Sequence, residues 1–371
     1  IYAGDPPPRG LKDALALEGK NSEFYFLLAQ FYDNYDTSES TNEVYTYYQK
    51  ALELNPVNYS YWFYLADSLF MDGKKEDALF ALNQATELAP GVVSLRWMSA
   101  ILASKLGNED VLVDNLKPVV AHDPERREKA FTILWQSLRN GDRILNIVPD
   151  RVLPEYLKFL IETSRLSEAT AAWDKLSSEQ KVSEKTFFRY VDFLIRQNDI
   201  LRAKKIWASQ LGDWSGVWNG DFEKSIYNRG FDWRIKNIEG VRISRTDSPY
   251  NNRSLKIEMD GKHNIDFKHL TQIVPVQENT KYKLTALMKS KDLSTSNGFF
   301  WEAYCYNSKG LKAESEQVLG TVELRPVTMS FTTPRNCRSI VIRLKREKSD
   351  KINRNIYGTL WIEKVALEQE H

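Results

Sequence analysis

At 371 residues the chain exceeds what one hydrophobic core organises, so two or three domains are expected. A net charge of +1, from 51 basic and 50 acidic residues, argues against a general binder of nucleic acid or of anionic membranes. No apolar run approaches the roughly 20 residues of a membrane-spanning helix, and the two cysteines, Cys305 and Cys337, allow at most one bridge, which leaves the redox compartment open.

Nothing at the amino terminus reads as a signal peptide, and the chain begins with Ile1, as a fragment or a mature form would. Pro56, Pro90 and Pro124 stand 34 residues apart, each closing a helix-like segment such as Ala-Leu-Glu-Leu-Asn-Pro, and this spacing predicts a helical repeat array. One repeat carries Trp62, Leu65, Ala66 and Leu69 on its first helix and Ala78, Leu82 and Ala85 on its second. Large residues at i, i+3 and i+7 make a packing face, and the small ones let neighbouring helices approach. This is the tetratricopeptide pattern. The preceding repeat fits with Tyr25, Leu28, Ala29, Tyr32, Val44, Tyr48 and Ala51, after an insertion near Asp36-Thr37-Ser38. With that insertion allowed for, Leu11, Ala14 and Gly19 match Tyr48, Ala51 and Pro56. Residues 1–20 therefore read as a truncated half-repeat, and a further segment upstream, or another chain, is expected to cover its open face.

The array is expected over residues 21–213, degenerate after 125. A shortened helix and a bend at Pro149 are predicted within Ile144 to Val152. The period resumes, shifted, in Ala169 to Ala203 and Trp173 to Trp207, with helices near 154–165, 167–176, 183–197 and 199–211. On such an array the concave wall comes from first-helix positions outside the packing set. Here those are Phe26, Phe63, Trp97 and Phe188, with Asp67, Phe70, Met71, Ile101 and Lys105 on the same wall. They read either as an apolar groove for a protein partner or as packing against the next repeat. The tyrosines at 45, 47, 48, 59, 61 and 64 read as helix packing.

From Trp214 the pattern changes to alternating β-formers broken by turn clusters such as Ser248-Pro249-Tyr250-Asn251-Asn252 and Asp260-Gly261-Lys262. Strands are predicted at 254–259, 281–288, 299–306, 328–332, 339–344 and 358–367, enough for two packed antiparallel sheets over 214–371. The fold class is thus a tetratricopeptide-type α-helical solenoid followed by an antiparallel β-sandwich.

Four stretches carry a further resemblance: Asn219-Gly220-Asp221-Phe222-Glu223, Phe231-Asp232-Trp233, Gln272-Ile273-Val274-Pro275-Val276, and Gly358 to Val365. In this order they resemble a jelly-roll carbohydrate-binding module. Its combination with degenerate tetratricopeptide repeats resembles bacterial envelope proteins of exopolysaccharide or O-antigen assembly, some with a membrane domain ahead of the repeats. The resemblance implies the bacterial periplasm or cell envelope, no required cofactor, and a structural calcium on Glu223 and Glu363 that would pin the first strand to the last. The alternative is two solvated carboxylates.

Alternation along 299–306 places Trp301, Ala303 and Cys305 in the core. Phe300, Glu302, Tyr304 and Tyr306 then share the other face, which reads either as aromatic and polar groups suited to a sugar or, for Tyr304 and Tyr306, as ordinary half-exposed strand residues. Trp233 and Trp361 are expected in the core, and Lys345-Arg346-Glu347-Lys348 with Lys351 and Arg354 reads as a basic loop, solvated or in contact with an anionic glycan or headgroup. His263 and His269, six residues apart on one strand, would lie about 20 Å apart, too far to share a metal, and His269 is expected buried and hydrogen-bonded. The sequence contains no phosphate loop, nucleophile elbow or Cys-x-x-Cys, and only four histidines and two cysteines. The residues point to a non-enzymatic adaptor that binds protein through the repeats and polysaccharide through the sandwich. The alternatives are a purely structural scaffold and a polysaccharide hydrolase or lyase.

Overall fold

The computed structural model describes residues 7–34, 41–179, 182–247, 253–351 and 354–370. The insertion expected at Asp36-Thr37-Ser38, the turn at 248–252 and His371 lie outside them. Two compact units divide the chain, residues 1–181 and 182–371.

The first unit is helical: α1 (Pro7–Leu17), α2 (Ser22–Asn34), α3 (Thr41–Leu54), α4 (Tyr59–Met71), α5 (Lys75–Leu88), α6 (Val93–Leu106), α7 (Glu109–His122), α8 (Arg127–Leu138), α9 (Gly141–Ile147), α10 (Leu153–Glu162) and α11 (Leu166–Glu179). The 34-residue period has a physical counterpart in equivalent bonds. Trp62 Nε1 donates to the Pro56 carbonyl at 2.8 Å, and 34 residues on Arg96 Nε donates to the Pro90 carbonyl at 3.2 Å. Proline cannot continue a helix, so each proline ends one helix pair while a side chain of the next helix ties off its carbonyl. Ala66, Ala78, Leu82 and Ala85, with their equivalents Ala100, Leu112, Leu116 and Val119, are all buried. Asn58 and Asn108 cap α4 and α7 by accepting from Ser60 N and Val111 N. As predicted, α9 is short. It stops before Pro149, which is extended at φ −64 and ψ 149, and a 3-10 turn at Asp150–Val152 follows.

The second unit begins with two more helices, α12 (Glu184–Arg196) and α13 (Ile200–Leu211). Among the described residues ten strands follow: β1 (Arg234–Ile235), β2 (Val241–Asp247), β3 (Arg253–Asp260), β4 (Phe267–Pro275), β5 (Lys281–Leu293), β6 (Phe300–Cys305), β7 (Lys312–Glu314), β8 (Gly320–Thr332), β9 (Ser339–Arg346) and β10 (Tyr357–Gln369). They form two antiparallel five-stranded sheets, ordered β1-β4-β9-β6-β7 and β2-β3-β10-β5-β8. From β3 to β10 the chain alternates between sheets except at the β6–β7 hairpin, which is jelly-roll topology with β1 and β2 added at the edges. Phe222, Trp233, Phe267, Trp301, Leu360 and Ile362 fill the space between the sheets. Trp361 departs from expectation: it alternates out of phase with Leu360 and Ile362, so it is half-buried on the outer surface, 6.0 Å from Lys256 Nζ.

The motifs near the start of the sandwich act through their backbone. Asn219 folds its side chain onto Lys224, accepting from its amide at 2.9 Å and donating to its carbonyl at 3.0 Å. A Cβ on Gly220 would lie 2.0 Å from the Val365 carbonyl oxygen, so only glycine lets this turn close on β10. Val365 N then donates to Gly220 O at 2.8 Å. Asp232, fully buried, accepts from Tyr227 N at 2.6 Å and Trp233 N at 2.8 Å, and burial holds its carboxyl above the ordinary range. A disulfide joins Cys305 on β6 to Cys337 just ahead of β9, 32 residues apart in sequence.

Within the basic run Lys348, Lys351 and Arg354 are exposed, as a solvated run would be, but Arg346 is not. Arg346 is fully buried and donates to Ile265 O, to Thr295 Oγ1 at 2.9 Å and to Arg354 O at 3.3 Å. It gathers three loops at one end of the sandwich, because a buried guanidinium must find acceptors.

Helix α13 meets the sandwich at Trp207. This side chain is fully buried, with Phe187, Phe188, Trp214, Trp218, Tyr227 and Phe231 between 5.4 and 6.4 Å from it. Gly230, at φ +57, lies beneath the indole, and a Cβ there would come within 2.1 Å of Trp207 Cζ3. Trp207→Ala should destabilise residues 182–371 by about 3–5 kcal/mol, and Gly230→Ala should also destabilise them. Calorimetry of the full chain should show one transition lowered and the other in place; two unmoved transitions would contradict this packing. Separately, the double change Cys305→Ser, Cys337→Ser should cost about 2–4 kcal/mol through a looser unfolded state, read from the urea midpoint.

Candidate functional site

The β6–β9 register sets Phe300 opposite Lys345, Glu302 opposite Arg343 and Tyr304 opposite Val341, while β4 sets Thr271 opposite Arg343 and Ile273 opposite Val341. Trp301, Ala303 and Cys305 point into the core as expected. The four residues of the opposite face do not form an even platform. Phe300 is buried, with Lys345 Nζ 5.5 Å from its ring. Glu302 is 1% exposed and pairs with Arg343, with Lys345 at 3.4 Å and with Lys312 at 4.0 Å. Its charge is therefore consumed by cations, and the sugar contact expected of it is replaced by a role in positioning Arg343. Tyr304 and Tyr306 remain half-buried, and the Arg343 guanidinium stands 4.9 Å from the Tyr304 ring centre.

Tyr304 and Tyr306 open onto a cavity of about 600 Å3. Asp192, Ile195 and Arg196 of α12 line one side of it, and Arg234, Lys236, Lys268, His269, Thr271, Ile273, Val341 and Arg343 line the sheet side. Asp192 sets the local geometry, accepting from Gly230 N at 2.8 Å and pairing with Arg234 at 3.3 Å. Arg234 Nη1 is buried with no hydrogen-bond partner among the described residues. His269 is half-buried; its Nδ1 accepts from Lys268 N at 3.1 Å, and burial followed by the nearby lysines lowers its pKa. Neutral imidazole is thus the form present at neutral pH. His263 lies in the turn before β4 and pairs with Asp260 at 2.9 Å.

The expected groove residues separate into two groups. Phe26, Phe63 and Phe188 are buried, so they do not line an open surface. Phe26 stacks on Tyr61 at 4.6 Å in a cluster with Tyr48, and Phe188 packs 4.8 Å from Tyr227 and 5.8 Å from Trp207. Asp67, Phe70, Trp97 and Ile101 are half-buried and Lys105 is exposed, its Nζ 5.8 Å from the Phe70 ring. The tyrosine run is packing. Tyr48 is fully buried and donates to Asp33 at 3.3 Å, Tyr61 donates to Glu23 at 2.9 Å, and Tyr47 stacks on Tyr32 at 5.7 Å.

Calcium was expected on Glu223 and Glu363. Glu223 is exposed, accepts from Arg253 N at 3.0 Å, and has its carbonyl taken by the Arg245 guanidinium at 2.9 Å. Glu363 is 5% exposed on β10. Among the described residues no group of three or more His, Cys, Asp or Glu side chains could hold a metal ion. The bond from Val365 N to Gly220 O already joins the first motif to the last strand.

Sequence inspection identified Tyr304 and Tyr306 but missed Asp192, Arg196, Arg234, Lys236, Lys268 and Arg343. The last of these was recoverable from alternation with Val341 on β9; the α12 wall had no local signal.

A family model described as tetratricopeptide repeat matches residues 47–80, from within α3 into α5. No curated protein matches the chain. Among solved structures, the chain is similar to a tetratricopeptide repeat protein from Parabacteroides merdae, at 17% identity over 54% of this chain and 83% of that one, with a TM-score of 0.32. It is also similar to a CBM4 structure, at 13% identity over 42% of this chain and 99% of that one, with a TM-score of 0.32. A third similarity is to the enzymatically active domain of bacteriophage CBA120 tailspike protein 4, at 12% identity over 42% of this chain, TM-score 0.31; the chain spans 21% of that protein's length.

Proposed function

We propose that this chain is a non-enzymatic adaptor whose repeats hold a protein partner while its sandwich holds a saccharide. The observation that carries the saccharide half is the cavity of about 600 Å3, where Tyr304 and Tyr306 stand beside polar groups already fixed in place by Asp192 and Glu302. Small-ligand sites are concave surfaces with a few well-placed polar groups, and fixed donors beside aromatic rings suit sugar hydroxyls and pyranose faces. The acidic residue lining this cavity, Asp192, is engaged with Arg234 and Gly230 N, whereas a glycosidase needs two carboxylates facing one another across the bond they cleave. On the repeats, Phe70, Trp97 and Ile101 with Asp67 and Lys105 form the protein-binding candidate. Holding two components together raises effective concentration without new contacts.

The disulfide supports an oxidising compartment. Together with the resemblance to envelope proteins, it supports a proposed role in polysaccharide assembly or export in the bacterial periplasm or cell envelope. A second reading, the purely structural scaffold, is favoured by one observation: α12 and α13 pack on the sandwich through Trp207 and Phe188 rather than leaving that surface bare.

The full chain on a glycan array, with calcium and with a chelator, separates the two. Selective binding that falls about tenfold, roughly 1.4 kcal/mol, in a Tyr304→Ala, Tyr306→Ala variant is the expected outcome. Blank wells under both conditions would sink the saccharide reading and leave the scaffold.

A further inference from the structure

Resting on the saccharide reading, we infer that the cavity selects an acidic saccharide, one whose sugar rings carry carboxylates, and that helix α12 supplies part of the selectivity through Arg196. The chain as a whole has a net charge of only +1, so a local excess is a feature of this place and not of the composition. Five basic side chains line the cavity. Three of them are held by carboxylates: Arg234 by Asp192 at 3.3 Å, Lys268 by Asp266 at 3.0 Å, and Arg343 by Glu302. Arg196 and Lys236, both exposed, have no carboxylate partner among the described residues. The cavity therefore keeps two uncompensated positive charges, one on the helix and one beyond the end of β1.

The paired cations add direction to that charge. Arg234 spends Nη2 on Asp192, while its Nη1 is buried and unsatisfied. A buried donor without an acceptor is destabilising, and a ligand oxygen arriving at that atom would satisfy it. Arg343 spends Nε on Glu302 and stands over Tyr304, so its planar fork is fixed before any ligand arrives. A guanidinium matches a planar carboxylate with two parallel hydrogen bonds, and preorganisation lowers the cost of binding. Neutral His269 adds no charge of its own, and Thr271 with the two tyrosines gives hydroxyls for the uncharged part of a sugar. A neutral saccharide would leave Arg234 Nη1 and the two free cations without an anionic partner. An acidic peptide could meet the charges but has no use for the aromatic pair.

The test is calorimetric titration of the full chain with a panel of uronate oligosaccharides (galacturonate, glucuronate and mannuronate), with their methyl esters as neutral counterparts, and with oligoglutamate. At least one free acid is expected to bind about tenfold more tightly than its ester, with the difference shrinking as salt is raised. In an Arg196→Gln, Lys236→Gln variant that melts normally, the preference should fall to within about threefold, and Arg196→Lys should restore part of it. Esters binding as well as acids would overturn the acidic preference while leaving the saccharide reading intact. Oligoglutamate binding alone, or silence toward every sugar, would overturn both.

Discussion

The second unit depends on the burial of Trp207. An aromatic side chain removes a large apolar area from water, and here one indole contacts rings from α12, from the segment after α13 and from the loops ahead of β1. Its Nε1 has no hydrogen-bond partner among the described residues, so its contribution is apolar contact. The close approach exists because residue 230 is glycine and leaves room for the ring. With α13 seated in this way, α12 is carried along, and its Asp192 reaches Gly230 N and Arg234. Removing the indole would therefore disturb the wall that bears Arg196 as well as the core.

Around the cavity the acidic residues serve as positioners. Glu302 and Asp192 each hold a guanidinium in a fixed orientation, a charge-assisted arrangement stronger than a neutral hydrogen bond. Glu302 is tolerated in the interior, and Asp192 in its half-buried place, because the partner cation is in contact. The result is a set of donors whose geometry is settled without a ligand. Elsewhere the same physics is structural: Asp232 folds the turn that aims Phe231 at Trp207 and Trp233 at the core, and Arg346 ties three loops through their acceptors.

Much of the fold was legible in the residues, for reasons that can be named. Proline at 56, 90 and 124 and alanine at 66, 78 and 85 report on local geometry and helix spacing, both short-range properties. Alternation along 300–305 separated Trp301 from Tyr304 correctly because the side chains of a strand alternate whatever surrounds it. The site was less legible. Phe26, Phe63 and Phe188 occupy positions that line a groove in an ideal repeat, yet neighbouring tyrosines and Trp207 cover them. Glu302 and Arg346 read as surface charges because nothing local announces that a buried partner awaits them.

The sequence by itself determined a run of paired helices, a set of alternating strands, and the faces of those strands, since each follows from the period of the backbone. Only the tertiary structure decided that the last helical pair belongs with the sandwich in one compact unit, that Cys305 bonds to Cys337, and that Arg196 of a helix shares a cavity with Tyr306 of a sheet. Those outcomes are contacts between residues far apart in the chain, and they depend on which buried surfaces fit together, which no local pattern encodes.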